Sequence, residues 1–278
     1  MDDDISPELE SGLVERARTG DNAALSDLIE PLRRPLFSYI YRMVSGRQDA
    51  EDLLQDVLVR VLQSLPSVRQ EARFKTWLFG IATHVCLDHL RHRNRWRVEA
   101  QLIGEEEASK DTTTRERLMS IFAQPDFSFD IREHVAFRFS CISRTLAPEE
   151  QAALMLKEVL GFTAQEAASM LEVSEPVFRH RLQAARSSMT ESYEGLCQLI
   201  NKTGRCWQCK GLREAVPESK RGPDLVQIEV TPGKAITPEA LFDARIEIAS
   251  KADYAQGRTT AMHDFFLETL RTREESGH

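Results

Sequence analysis

The apolar positions of this chain recur at helical spacing along most of its length. Leu9, Leu13 and Ala17 mark a short amphipathic helix over residues 7–18, broken at Gly20-Asp21. Leu25, Leu28, Ile29, Leu32, Leu36, Tyr39, Ile40 and Met43 carry the pattern on to about residue 45, where Gly46 ends it. Pro31 and Pro35 fall inside that helix, so a kink or break is expected there. The cleanest stripe covers residues 49–65, with Leu54, Val57, Leu58, Val61, Leu62 and Leu65 as the expected buried face. Asp49, Asp52 and Asp56 recur at spacings of three and four, which places their carboxylates on one solvent face. A solvated acidic surface and a docking surface for a basic partner helix both fit that spacing. After Pro66 comes a loop with Arg69 and Arg73 at its ends. The next helix runs from Phe74 to about Asn94, with Phe74, Trp77, Leu78, Ile81 and Val85 inward.

Residues 98–130 lose this regularity. Glu99, Glu105, Glu106, Glu107 and Asp111, then Thr112, Thr113, Thr114 and Pro125, predict a flexible acidic linker with one short helix over 114–122. Helices resume over 131–144 and 149–160. Residues 161–189 then read GFTAQEAASMLEVSEPVFRHRLQAARSSM. Gly161 suits the left-handed end of the preceding helix. Thr163 and Glu166 have capping-box spacing, Ser174 is a second N-cap, and Pro176 sits in the first turn after it. Ala167, Met170 and Leu171 can face Val177, Phe178, Leu182 and Ala185, leaving Arg179, His180, Arg181, Gln183 and Arg186 on the polar sides. Two short helices with a turn of this length have helix-turn-helix geometry, the second helix suited to the major groove. A plain helical hairpin with a basic surface is the alternative.

The tail, residues 196–278, alternates like a short strand over 225–230, then predicts helices over 237–250 and 258–271, the last burying Met262, Phe265 and Phe266. The expected fold class is all-α: two helical domains joined by a flexible linker, with a small C-terminal α(+β) extension.

Composition refines this picture. The 278 residues, 41% hydrophobic and 29% charged, describe a globular chain with room for two domains. No apolar run approaches the roughly 20 residues needed to cross a bilayer. The acidic N-terminus has no charged-then-apolar signal pattern, so the chain is expected in the cytoplasm. The net charge of −8 opposes nucleic acid, but its distribution does not. Residues 1–32 hold nine acids and two bases, whereas residues 33–97 hold twelve bases and six acids. Arg91, His92, Arg93, Arg95 and Arg97 with Trp96 among them suit a nucleic-acid backbone and unpaired bases. The summed field still opposes free DNA, so such a chain works best when a larger partner presents it to DNA.

An odd count of five cysteines argues against a disulfide framework. Cys206 and Cys209 have C-x-x-C spacing, with Cys197 just upstream. Tetrahedral zinc takes four ligands, so these three need a fourth, for which Cys141, a histidine or a water is a candidate. Reduced, unbound thiols and a redox pair are the other readings. The chain has no Gly-rich phosphate loop, no HExxH and no nucleophile with its base at a known spacing, and it is not expected to be an enzyme.

Four segments together resemble the bacterial RNA polymerase sigma factors of the extracytoplasmic-function (ECF) type. They are DAEDLLQDVLVRVL (49–62), FKTWLFGIATHVCLDHLRHRNR (74–95), LAPEEQAALMLKEVLGFTAQEAASMLEVS (146–174) and the helix through Arg186. The resemblance covers roughly residues 20–195 and implies region 2 over 1–97, a linker over 98–130, region 4 over 131–195 and a regulatory extension over 196–278. It implies core polymerase (β′ and β subunits) and promoter DNA as partners, an anti-sigma factor as a candidate partner, and no required cofactor, with zinc a candidate in the extension. Asp49, Asp52, Gln55 and Asp56 correspond to the polymerase contact. Arg69, Arg73, Lys75, Trp77, His84, Arg91 and Arg93 correspond to −10 recognition. Ser174, Glu175, Phe178, Arg179, Arg181 and Arg186 correspond to −35 recognition. His84 stands where the family usually has Asn, and Phe178 where smaller residues are usual. A helix-turn-helix regulator acting without polymerase and a thiol–disulfide protein are the rival readings.

Overall fold

A computed structural model describes residues 6–67, 73–91, 111–196, 213–222 and 237–276. Local side-chain caps start several of its helices. The Ser6 hydroxyl accepts the Leu9 amide to open α1 (Pro7–Arg18). The Asp21 carboxylate accepts the amides of Ala23 and Ala24 to open α2 (Asn22–Val44), and it sits below the usual carboxylate range because those amides and Arg16 favour its charge. α2 runs through Pro31 and Pro35 without the expected break. Packing outweighs the lost amide donors: Leu28 before them and all of residues 36–44 after them are buried. Ser45 turns left-handed at φ 53° and leads into α3 (Arg47–Ser64), a short 3-10 turn (Leu65–Ser67) and α4 (Phe74–Arg91). α1 to α4 form the first bundle, in which the Tyr39 and Thr83 hydroxyls share a buried hydrogen bond of 2.9 Å.

The second half begins with α5 (Thr112–Ala123), capped by Asp111. It is the short helix expected over residues 114–122, and instead of standing in a flexible linker it packs on the last helix of the chain. α6 (Ile131–Ser143) and α7 (Pro148–Leu154) follow. A π turn, Met155–Val159, prolongs α7, its end marked by the Leu160 amide bonding the Met155 carbonyl. α8 (Ala164–Met170) and α9 (Glu175–Leu196) come next, then α10 (Pro238–Lys251) and α11 (Thr260–Ser276). The strand expected over 225–230 lies outside the described residues. Among those described, β structure is confined to one bridge between Phe129 and Arg221.

The C-terminal helices are built into the core. α10 lies on α6, α9 and the π turn, and its Phe242 ring stacks 5.9 Å from Phe139. On α11, the His263 ring stacks 4.2 Å from Phe137, and its Nε2 lies 3.4 Å from Nδ1 of His134. The extension also grips α2 and the start of α3. Arg42 is buried, with its guanidinium 5.1 Å from the Tyr254 ring and Nη2 donating to the Ala252 carbonyl. The Tyr41 hydroxyl donates to Asp264, which also takes Arg47 Nε at 2.6 Å. The buried side chains form one continuous cluster through both halves.

Burial holds both core histidines neutral. It pushes His134 down to about 3, with Arg138 adding to the effect, and it takes His263 well below its ordinary value, with His134 adding. The unfolded chain therefore binds more protons than the folded one below about pH 6.5, and stability falls as pH drops through that range. Urea unfolding of the intact protein at pH 7, 6 and 5 should show a loss of about 1 kcal/mol per pH unit or more below pH 6. A His134→Leu/His263→Phe variant should lose most of that slope. An unchanged slope would show that other groups carry the dependence.

Candidate nucleic-acid interface

Three surfaces carry the residues singled out by the sequence. The first is the helix-turn-helix. Gly161, at φ 76°, lets the chain turn out of the π segment. The Thr163 hydroxyl accepts the Glu166 amide at 3.2 Å, and Glu166 Oε2 accepts the Thr163 amide at 2.8 Å, so the capping box is formed. Burial works to raise the Glu166 carboxyl, but bonds from Thr163 and Thr76 with the charge of Arg73 outweigh it and keep the group below its usual range. Glu172 takes a left-handed φ of 51° in the turn, and the Val173 amide closes onto the Ala168 carbonyl at 3.0 Å. α9 then packs back with Phe178, Ala185, Met189 and Tyr193 buried.

This packing corrects one expectation. Phe178 is fully buried, because its position shares a face with Ala185 and Met189, and it does not point toward a groove. Ser174 and Arg179 are exposed, Glu175 and Arg181 half-buried, and Arg179 Nη2 pairs with Glu175 at 2.5 Å. Arg186 is drawn inward: it meets Glu158 at 2.6 Å and Asp243 at 2.5 Å, over the Phe242 ring. The outward face of the first turns of α9 also holds Val177, 44% exposed, with His180 and Gln183 exposed beside it. Sequence reading assigned Val177 to packing. Only the phase of Phe178 shows that its neighbour faces out.

The second surface is α4. Lys75, Trp77 and His84 are half-buried there, and Arg73 and Arg91 are exposed. Trp77 lies against Phe74 at 5.6 Å between ring centroids, so it serves partly as core. Arg69 and Arg93 lie outside the described residues.

The third surface is α3, where two expectations change. Asp49 is not on the solvent face: its side chain is 15% exposed and its carboxylate lies 3.7 Å from His89 Nε2. Leu62 is not in the buried stripe: it is 56% exposed and Val59 is 51% exposed. Asp52, Gln55 and Asp56 are exposed, so with Val59 and Leu62 they form one acidic and apolar stripe along α3.

The candidate zinc ligands Cys197, Cys206 and Cys209 lie outside the described residues. Cys141 is buried on α6. Among the described residues no group of three or more His, Cys, Asp or Glu side chains is placed to hold a metal ion, and no helix is long and apolar enough to cross a membrane.

A four-helix unit followed by a helix-turn-helix unit is the arrangement that comparison with known families picks out. Residues 28–96 match the family model for sigma-70 region 2, and residues 137–189 match that for sigma-70 region 4. The ECF RNA polymerase sigma factor SigG of Mycobacterium tuberculosis is 32% identical over 182 residues, covering 62% of this chain and 48% of that one. This chain thus spans about half the length of that relative. The RNA polymerase sigma-H factor of Pseudomonas aeruginosa is 24% identical over 199 residues, covering 69% of this chain and 97% of that one. Among solved structures, CnrH in complex with the cytosolic domain of CnrY aligns with a TM-score of 0.44 and 18% identity, over 66% of this chain and 96% of that one. The two matched segments thus identify a sigma-70 region 2 and a sigma-70 region 4 in this chain, which over that span is similar to RNA polymerase sigma factors of the ECF type.

The correction at Phe178 is directly testable. Phe178→Ala should cost about 3–5 kcal/mol of global stability, read by urea unfolding, because it empties a packed site. Arg179→Ala, on the exposed face, should stay within about 0.5 kcal/mol. Equal losses would put Phe178 back on the surface.

Proposed function

We propose that this chain joins core RNA polymerase and directs it to promoters. The observation that supports this best is the exposed stripe of Asp52, Gln55, Asp56, Val59 and Leu62 on α3. Val59 and Leu62 continue the line of Asp52 and Asp56 along α3 and give the acidic face an exposed apolar end. They suit a partner helix with an apolar seam flanked by basic side chains. The resemblance assigns that partner as the β′ coiled coil. α9 then offers Val177, Arg179, His180 and Gln183 to the −35 duplex, where an apolar side chain can meet a thymine methyl and an arginine two guanine acceptors. α4 offers Lys75, Trp77, His84 and Arg91 to the melted −10 strand. All of these roles are binding roles, so the chain acts without a reaction of its own. Its net charge of −8 makes polymerase the agent that brings it to DNA.

We propose also that the extension regulates this activity. Asp243 on α10 holds Arg186 of the recognition helix, and Asp264 on α11 holds Tyr41 and Arg47 at the root of α3. Deleting the extension is a poor test, because Phe139 and Phe137 would lose the ring partners Phe242 and His263. Point changes separate the roles.

Run-off transcription with purified bacterial core polymerase and a genomic promoter library tests the first reading. Wild-type protein should initiate at specific sites. Asp56→Arg/Leu62→Asp should weaken core binding more than tenfold with unfolding unchanged. Specific initiation from no promoter at all would sink the reading. Asp243→Ala should remove one of the two carboxylates that hold Arg186, leaving Glu158, and raise affinity for −35 duplex about threefold; an unchanged affinity would remove α10 from regulation.

A further inference from the structure

The face of α4 that would bind the melted strand is turned onto the second half of the chain. Lys75 Nζ lies 5.5 Å from the centre of the Phe162 ring, at the entry to α8. Thr76 Oγ1 lies 3.4 Å from Glu166 Oε1, His84 Nε2 lies 3.6 Å from Glu172 Oε1, and Arg91 Nη2 lies 3.3 Å from Glu149 Oε1. Residues 76, 80, 84 and 91 follow one stripe of the helix at spacings of four and seven. Three carboxylates from α7, α8 and the helix-turn-helix turn are thus set along the polar groups of that stripe. Between them the backbones come close at Gly80, where an added Cβ would sit 3.8 Å from Met170 Cγ and 3.9 Å from its Cα. The Phe79 and Phe162 ring centroids are 5.4 Å apart.

From this geometry we infer that region 4 covers the strand-binding face of region 2 in the free protein, with Glu149, Glu166 and Glu172 standing where strand phosphates would otherwise lie. The inference rests on the proposed reading of α4. A carboxylate and a phosphate compete for the same donors, so closure and strand binding exclude each other. The seam is also suited to opening. Its polar contacts are partly exposed, the Arg91–Glu149 ion pair is therefore weak, and its apolar part is a narrow strip around Gly80, Phe79 and Phe162. A polymerase that held the two halves at separate sites would uncover α4, and strand binding would follow recruitment.

The test uses the full chain with Cys197, Cys206 and Cys209 changed to Ser, carrying Gly80→Cys/Met170→Cys. Facing cysteines at this separation can bridge. Under mild oxidant the pair should crosslink within the free protein, seen by mass spectrometry, and added core polymerase should slow the reaction. Binding of a fluorescein-labelled dT12 strand should fall at least tenfold on oxidation and return on reduction. Independently, Glu149→Gln/Glu172→Gln in the otherwise native chain should bind dT12 about threefold to tenfold more tightly. Absence of the crosslink, or a crosslinked protein that binds the strand as well as the reduced one, overturns the cover. If crosslinking and strand binding behave as expected but wild-type protein initiates at no promoter, the cover stands and the sigma activity falls.

Discussion

Arg42 is the buried charge on which separate parts of the chain converge. A guanidinium taken out of water is costly unless its surroundings answer it. Here the answers come from the Ser38 hydroxyl on its own helix, and from the Tyr254 ring and Ala252 carbonyl of the extension. Burial still pulls the group below its ordinary value, with Tyr254 and Asp253 acting the other way. Nη1 is left without a hydrogen-bond partner, but Nη2 and the guanidinium face are met only when the extension lies on α2. That in turn buries residues 36–44 on every side and sets Tyr41 and Arg47 within reach of Asp264. α3 starts at Arg47, so the helix proposed to meet polymerase is positioned at its root by residues more than 200 positions away.

This dependence separates what the chain's pattern makes legible from what it does not. Local rules carry far. Ser6, Asp21, Thr163 and Thr237 all cap helices as their side chains suggest, and the Thr163–Glu166 box opens α8 where the spacing puts it. The all-helical class and the helix-turn-helix follow from the same short-range signals. The misplaced residues share one cause, because spacing tells which residues lie together but not where a stripe's edge falls. Leu62 sits at the edge of a stripe whose centre is Val57 and Val61, and it falls outside. Asp49 sits at the other edge and falls inside, toward His89. Phe178 was ambiguous between core and groove until Ala185 and Met189 fixed the phase of α9.

The same reasoning explains α5. Its acidic and threonine-rich approach reads as linker, and its own stripe is thin, with only Phe122 fully buried on it. Its order comes from α11 and from Phe127, whose ring lies 5.2 Å from that of Phe122. The short helix expected over residues 114–122 is thus formed, over 112–123; what no local signal announces is its partner at the far end of the chain. The union of the two halves across Gly80 and Met170 is equally silent in the sequence, since a glycine in a helix is as consistent with tolerance as with close approach.

The π turn before the helix-turn-helix has a consequence of its own. A π turn holds one residue more than the α turn it replaces, so the helix ending at Val159 carries a spare residue between its anchored body and the element that follows. Length changes of a single residue in this stretch can be absorbed by winding that turn into or out of ordinary helix, with the packed body upstream left as it is. What shifts is the angular setting of α8 and α9 on their scaffold. The turn is therefore a place where inheritance can re-index α8 and α9 by one step, and related chains that differ there by one residue are expected to present the same helix in a rotated setting.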